Sequence, residues 1–233
     1  MKAINQIESK VKRLKQHQIF SANDWFDIHF KGLGISAYNY YKVLERFVKE
    51  DKLHKISKGL YYKPRLTQFG FAPMTEDQII HYFLKSNKGF EIGYGLYYQK
   101  KLTTQLPRKR TFYLENARFQ RTQIKDLIFI KPPLKLKKTN KNLIEVLDVL
   151  ENLDHLEDIN LSNLKSYLLI HLKEYSDKTL DEVQSLMPFK KSTLSKLKRI
   201  LDEFGFENSI EDKYLSQLSR YKGGIQVHEL AQG

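Results

Sequence analysis

The chain has 233 residues and no cysteine, which excludes disulfide bonds and thiolate metal sites. Hydrophobic residues make up 41% of it and aromatic residues 12%, so the chain can bury a core and is not disordered throughout. The apolar runs are too short to span a bilayer, and the N-terminal residues lack the apolar core of a signal peptide. We therefore expect a soluble protein of the cytoplasm.

The net charge of +13 is distributed unevenly along the chain. Residues 1–140 contain 28 lysine and arginine residues against 11 acidic residues, whereas residues 141–233 contain 12 against 16. A general lysine bias in composition does not explain an acidic last third. A basic front portion indicates a polyanionic partner, because neutralised phosphates release their counterions. Nucleic acid is the expected partner.

Two helices are predicted near the N-terminus. Apolar residues recur at helical spacing over residues 2–17, at Ile4, Ile7, Val11 and Leu14. Ser21 or Asn23 can cap a second helix over residues 22–30, because both residue types accept from free backbone N–H groups.

A third helix follows a break at Gly32 and Gly34. Ser36 can cap it, and it is expected to end near Asp51. One stripe of this helix is apolar and predicts its buried side: Tyr40, Val43, Leu44, Phe47 and Val48. The opposite face carries polar and cationic residues: Tyr38, Asn39, Lys42, Glu45, Arg46 and Lys49. A recognition helix needs such a face, although an ordinary surface helix has the same pattern.

The segment after this helix separates the two alternatives. Residues 53–56 and 60–63 are strand-like, Gly59 permits a tight turn between them, and Pro64 ends the second strand. Three helices followed by a short basic hairpin predict a winged helix-turn-helix over residues 1–64, with double-stranded DNA as partner. The candidate DNA-binding residues are Ser36, Tyr38, Asn39, Lys42, Arg46, Lys49, Lys55 and Lys58. A protein-interaction module with an aromatic-rich surface is the alternative.

The fold class expected for the whole chain is α+β. A small mixed α/β domain is predicted over residues 65–138, beginning with a linker at 65–74 and a helix capped by Thr75. Residues 108–118 and 123–133 are strand-like.

A helical C-terminal region is predicted over residues 139–233, with a loosely held tail from about Asp212. Within it, residues 186–201 read either as a second helix-turn-helix, with Lys196 and Arg199 pointing outward, or as a packed helical pair. Acidic residues near the end of this stretch favour the packed pair.

Three segments carry a family resemblance: HKISKGLYYKP at 54–64, LTQFG at 66–70 and KKLTTQLP at 100–107. Together they resemble the bacterial AbiEi-type antitoxins, which are winged-helix regulators of type IV abortive-infection toxin–antitoxin pairs. Lys101 stands where that family usually has a small residue. The resemblance covers roughly residues 1–133. It implies an antitoxin that represses its own operon and counteracts a nucleotidyltransferase toxin, without a stable complex between the two proteins.

The third of these segments lies in a second basic stretch. Its candidate residues are Lys100, Lys101, Thr103, Thr104, Gln105, Arg108, Lys109 and Arg110. They predict either a second polyanion-binding surface or a structural turn in which Gln105 pairs with backbone. A weaker alternative is RNA binding by residues 98–121, with Tyr98, Phe112 and Phe119 stacking on bases.

Motifs of catalysis are missing from the sequence. It has no phosphate-binding loop, nucleophile elbow, kinase motif or zincin motif, and its seven histidines do not fall at metal-ligand spacing. We expect no enzyme activity, no cofactor and no metal. Winged helices often act on inverted repeats, so a homodimer on DNA is plausible.

Overall fold

The computed structural model describes residues 2–215, so nearly all of the expected tail beyond Asp212 lies outside the described residues. The fold is mixed α+β, 50% helix and 16% strand, with helices at both ends. The chain forms two compact units, which meet in sequence between Tyr82 and Phe83.

The first unit has short elements that alternate between helix and strand. They are α1 (Lys2–Lys12), β1 (Ile19–Ser21), α2 (Ala22–His29), α3 (Ala37–Lys49), β2 (His54–Ser57), β3 (Leu60–Tyr62), β4 (Arg65–Thr67) and β5 (Gly70–Ala72). One antiparallel sheet has the order β1-β3-β2, and β4 and β5 pair as a separate two-stranded sheet. The expectation of a linker over residues 65–74 is therefore wrong, since this segment contains the β4–β5 hairpin.

Side-chain caps fix where the helices of this unit begin. Ser21 and Ser36 each accept from the backbone N–H three residues later, at 3.5 and 3.2 Å, which confirms both as N-caps of α2 and α3. Thr75 precedes α4 (Glu76–Asn87) and exchanges hydrogen bonds with Gln78, each side chain accepting from the other residue's backbone N–H.

Aromatic packing fixes the orientation of α3. Tyr40, Leu44 and Phe47 are fully buried, as the apolar stripe predicts. The Tyr40 ring lies 5.4 Å from that of Phe30, at the end of α2, and its hydroxyl donates to the carbonyl of Ala22 at 3.0 Å. Because this face of α3 is held against α2, its opposite face is left to solvent.

The second unit adds a four-stranded sheet to a helical array. Its elements are β6 (Gly89–Ile92), α5 (Tyr94–Gln99), β7 (Arg110–Leu114), β8 (Arg121–Ile124), β9 (Leu127–Ile130), α6 (Lys138–Asn152), a 3-10 turn (Leu153–His155), α7 (Leu161–Leu172), α8 (Asp177–Leu186), α9 (Lys191–Glu203) and α10 (Ile210–Tyr214). The strand order is β6-β7-β9-β8, in which β7 and β9 are parallel and the other pairs antiparallel.

One cluster of buried hydrophobic residues joins β6 and α5 to the helices of the second unit, from Phe90 in β6 to Ile210 in α10. Helix α6 is central to it, and a buried polar contact joins α6 to the segment after β6. Asp148 accepts from the Gly93 backbone N–H and from the Tyr97 hydroxyl, both at 2.7 Å. Strand β6 and the C-terminal helices, expected in separate domains, thus share one core, and the boundaries at 64 and 138 stay predictions.

Lys196 points inward, which contradicts the helix-turn-helix alternative for residues 186–201 and agrees with the favoured packed pair. Its side chain is buried, and Nζ donates to the Leu150 carbonyl at 3.1 Å and to the Asp154 carboxylate at 2.7 Å. The buried ammonium group is tolerated because the carbonyl and the carboxylate both accept hydrogen bonds from it.

Candidate nucleic-acid interface

The exposed face of α3 carries six side chains, which we call the α3 face: Tyr38, Asn39, Lys42, Glu45, Arg46 and Lys49. Tyr38 is 67% exposed although it is aromatic, and Lys42 Nζ lies 4.4 Å from the centroid of its ring. This cation–π contact holds an ammonium group beside a phenol in the first turns of the helix. The pair offers one cation and one hydroxyl to a ligand.

The N-terminus of α3 supplies further polar groups. The Ser36 hydroxyl is engaged in capping, accepting from the Asn39 backbone N–H. The Asn39 carboxamide is exposed and makes no hydrogen bond within residues 2–215. A carboxamide of this kind can pair bidentately with adenine, and the positive end of the helix dipole favours phosphate nearby.

Arg46 differs from its neighbours because it is already paired. Its Nε lies 3.2 Å from Glu50, which also pairs with Lys52 at 2.9 Å, and Lys52 reaches Glu8 of α1 at 3.0 Å. The hydrogen bond from Lys52 lowers the pKa of Glu8. Arg46 therefore belongs to an ion-pair network that links α1 to the end of α3, and it is the least available cation of the α3 face.

The β2–β3 hairpin presents two further lysines. Lys55 and Lys58 are exposed, and within residues 2–215 neither they nor Lys49 make an ion pair. Gly59, with φ of 78°, allows the tight turn beside Lys58. Phe20 of β1 stacks on Tyr61 of β3 at 5.9 Å and anchors the hairpin to the core.

The second basic stretch uses several of its polar residues internally. The Thr103 hydroxyl is buried and donates to the Glu157 carbonyl at 2.7 Å, and the Glu157 N–H donates to the Gln105 side chain at 3.2 Å. Thr104 donates to the Asp158 carboxylate at 3.2 Å. These contacts favour the structural-turn alternative for the three residues.

Arg110 is also committed to an internal contact. Its guanidinium makes two bonds of 2.8 Å to the carboxylate of Glu91, which is buried and accepts a third bond from Gln99 at 2.7 Å. A Cβ at Gly95 would lie 1.9 Å from a carboxylate oxygen of Glu91, so only glycine fits there. Arg110 therefore stabilises the fold of the second unit.

The other cations of this stretch remain exposed: Lys100, Lys101, Arg108 and Lys109. Lys101 has a left-handed backbone with φ of 56°, the conformation that glycine favours. Its carbonyl accepts from the Asn163 side chain at 2.9 Å, which again ties this stretch to the helical array.

The base-stacking alternative for residues 98–121 holds only in part. Tyr98 and Phe119 are 44% and 62% exposed, but Phe112 is 1% exposed and packs on Phe129 with ring centroids 5.5 Å apart. Phe112 faces the core because it alternates along β7 with outward residues. It cannot stack on a base.

Two features were not anticipated from the sequence. The first is the β4–β5 hairpin, in which Phe69 is 90% exposed and Leu66 is 67% exposed.

The second is a cavity of about 360 Å³ in the second unit, between α6 and the α8–α9 connection. It is lined by Tyr113, Ile144, Asp148, Glu151, Asn152, His155, Met187, Pro188, Phe189 and Lys190. Burial raises the pKa of Asp148, and Lys190 lies 3.1 Å from Glu151. The residues that line this cavity come from distant segments of the sequence, so no local pattern could have indicated the cavity.

A metal-ligand cluster and a membrane-spanning helix are both absent from residues 2–215. No group of three or more histidine or acidic residues there could hold a metal ion. No helix in that range is both long enough and apolar enough to cross a membrane.

Comparisons with known protein families and with curated proteins give no match. The resemblance to the AbiEi-type antitoxins therefore rests on the quoted motifs and stays a prediction.

Proposed function

We propose that the protein is a cytoplasmic, sequence-specific DNA-binding regulator whose first unit contains a winged helix-turn-helix. The order α1-β1-α2-α3-β2-β3, with a sheet ordered β1-β3-β2, is the order of that module. In this assignment α3 is the recognition helix and the β2–β3 hairpin is the wing.

The observation that carries the proposal is the pattern of exposure on these two elements. Tyr38, Asn39 and Lys42 are exposed at the start of α3, while its other face is buried. Lys55 and Lys58 lie exposed on the next element, with no acidic partner in the described part of the chain. Hydrogen-bonding groups suited to base edges thus adjoin cations suited to phosphates.

The proposal extends to an antitoxin role through the resemblance alone. The protein would repress its own operon and counteract a nucleotidyltransferase toxin encoded beside it, without a stable complex. No cofactor or metal is needed for either role. Co-expression with the neighbouring gene tests this role, since restored growth supports it and unrelieved toxicity contradicts it.

DNA binding itself is tested by titrating the full-length protein against its own promoter fragment at several salt concentrations. Scrambled DNA of equal length is the control. We expect tighter binding to the promoter, with affinity that falls as salt rises. Equal affinity for both fragments would reduce the site to a non-specific basic surface. Absence of binding at moderate salt would favour a protein-interaction module.

A further inference from the structure

The β4–β5 hairpin has an unusual surface for so small an element. Leu66 and Phe71 are cross-strand partners, exposed by 67% and 42%, and Phe69 at the turn is 90% exposed. Such apolar side chains on one exposed hairpin mark a binding surface rather than a folding core.

The turn that carries Phe69 is well organised. The Thr67 hydroxyl donates to the Gly70 carbonyl at 2.7 Å and accepts from the Phe69 backbone N–H at 3.2 Å. Gly70 has φ of 102°, which permits the return into β5. Phe69 therefore projects from a turn whose backbone is already ordered by hydrogen bonds. Less conformational entropy of the turn is then lost when Phe69 binds a partner.

The hairpin is joined to the proposed wing. The Phe71 ring packs edge-on against His54 of β2, with ring centroids 5.0 Å apart. His54 in turn contacts the Tyr62 hydroxyl at 3.2 Å and Asp51 at 3.2 Å. The hairpin thus packs against the base of the β2–β3 hairpin through side-chain contacts.

Charge identifies the occupant of this surface. Between Asp51 and Glu76 the chain contains no acidic residue and five cations. Lys52 pairs with Glu8 and Glu50, and Lys63 donates to the carbonyls of Lys12 and Leu14. The exposed cations beside the hairpin are therefore Lys55, Lys58 and Arg65. A second copy of the chain would bring the same positive charge to the same surface and be repelled, whereas DNA complements it. Exposed phenylalanine and leucine beside cations are the groups that proteins insert between base steps in the minor groove.

We propose that the β4–β5 hairpin is a second DNA-binding element, in which Phe69 inserts between base pairs while the exposed Arg65, Lys55 and Lys58 contact the DNA backbone. This inference rests on the proposed DNA binding and adds to it a contact that does not depend on charge. Loss of Phe69 should therefore lower affinity equally at all salt concentrations, whereas loss of a lysine should flatten the salt dependence.

The test compares the full-length protein with Phe69→Ala, Phe69→Leu and Ile170→Ala, binding the promoter fragment. Ile170 is a matched control, since it is 62% exposed but lies on α7 in the second unit. We expect Phe69→Ala to weaken binding about tenfold with an unchanged salt slope. Phe69→Leu, which keeps an apolar wedge, should stay within about threefold of the wild type, and Ile170→Ala should have no effect. Energy transfer between end labels on the DNA should report a smaller bend with Phe69→Ala.

Three results overturn the inference. Unchanged binding by Phe69→Ala, with the wild type still preferring its promoter, removes the hairpin from the interface and leaves the regulator proposal standing. A wild-type dimer that Phe69→Ala converts to a monomer identifies the occupant as a second copy. Failure of the wild-type protein to bind DNA at all ends both proposals together. Circular dichroism and thermal melting of each variant confirm that it is folded, which is expected because Phe69 is almost fully exposed.

Discussion

The two basic stretches of the chain read alike in sequence and differ in how they use their side chains. On α3 and the β2–β3 hairpin, Lys42, Lys55 and Lys58 extend into solvent without an acidic partner in the described part of the chain. In the described part of the second unit, Thr103 and Arg110 are engaged in internal contacts, and the cations that stay exposed there adjoin no recognition-type helix face. Residue type and charge alone therefore do not separate a binding surface from a structural segment, whereas burial and hydrogen-bond partners do.

The largest expected effect is on stability in the second unit. Arg110→Met leaves the Glu91 carboxylate buried without its cation, so the free energy of unfolding should fall by about 3 kcal/mol in urea titrations. DNA affinity of the folded protein should not change. The exposed neighbour Lys109 gives the matched control, and Lys109→Met should alter stability by less than about 0.5 kcal/mol. A variant that lost DNA binding but kept its stability would show that Arg110 belongs to the interface.

The largest effect on DNA binding is expected from the first unit. Lys42→Ala combined with Lys58→Ala removes two phosphate contacts, so promoter affinity at low salt should fall at least about tenfold and the salt slope by about two. Fluorescence anisotropy over a salt series measures both quantities. Lys100→Ala combined with Lys109→Ala removes the same charge from the second unit and should leave the slope unchanged. An equal loss of affinity and salt slope in the two double variants would show that the first and second units contribute alike to DNA binding.

Asn39→Ala should affect specificity more than affinity. Loss of a bidentate contact with a base edge is worth roughly 1–3 kcal/mol, so the ratio of promoter to scrambled affinity should fall about tenfold. Binding to scrambled DNA should be preserved, because phosphate contacts remain. Asn116→Ala, an exposed asparagine of the second unit, is the control. An equal loss of affinity for both fragments would show that Asn39 does not read sequence.

Thr103→Val should destabilise without affecting binding. The buried hydroxyl donates to the Glu157 carbonyl and accepts from the Gln105 N–H, and its loss should cost about 1 kcal/mol in chemical denaturation. Thr104→Val is the matched control, since Thr104 is exposed and its bond to Asp158 is open to water. Equal effects of the two substitutions would contradict the structural role of Thr103.

The smallest effect is expected at Lys101. Its left-handed backbone is unfavourable for a residue with a Cβ, so Lys101→Gly should raise the free energy of unfolding by about 0.5 kcal/mol. Lys100→Gly, at an ordinary φ of −81°, should lower it by a similar amount. Thermal melting at matched ionic strength measures both. If both variants lost stability, the Lys101 side chain itself would have to stabilise the fold.

Local signals in the sequence predicted most of the first unit. The caps at Ser21 and Ser36 and the apolar stripe of α3 depend on residues within a few positions of each other. The β4–β5 hairpin was missed because its strands have three residues each, too few for an alternating pattern.

Long-range contacts account for what the sequence could not predict in the second unit. Lys196 points inward because α9 packs beside Leu150 and Asp154, which lie more than 40 positions earlier. Phe112 packs on Phe129, its partner in the parallel pairing of β7 with β9, and no local pattern indicates that pairing. The use of Thr103 and Gln105 to bind the backbone at Glu157 has the same origin.

The most direct test of the account is a lysine-acetylation footprint of the full-length protein with and without its promoter DNA, read by mass spectrometry. We expect DNA to protect the lysines of α3 and the β2–β3 hairpin: Lys42, Lys49, Lys55 and Lys58. The exposed lysines of the second basic stretch should keep their reactivity: Lys100, Lys101 and Lys109. Protection of the second set with the first unchanged would contradict the account and move the DNA-binding surface to the second unit.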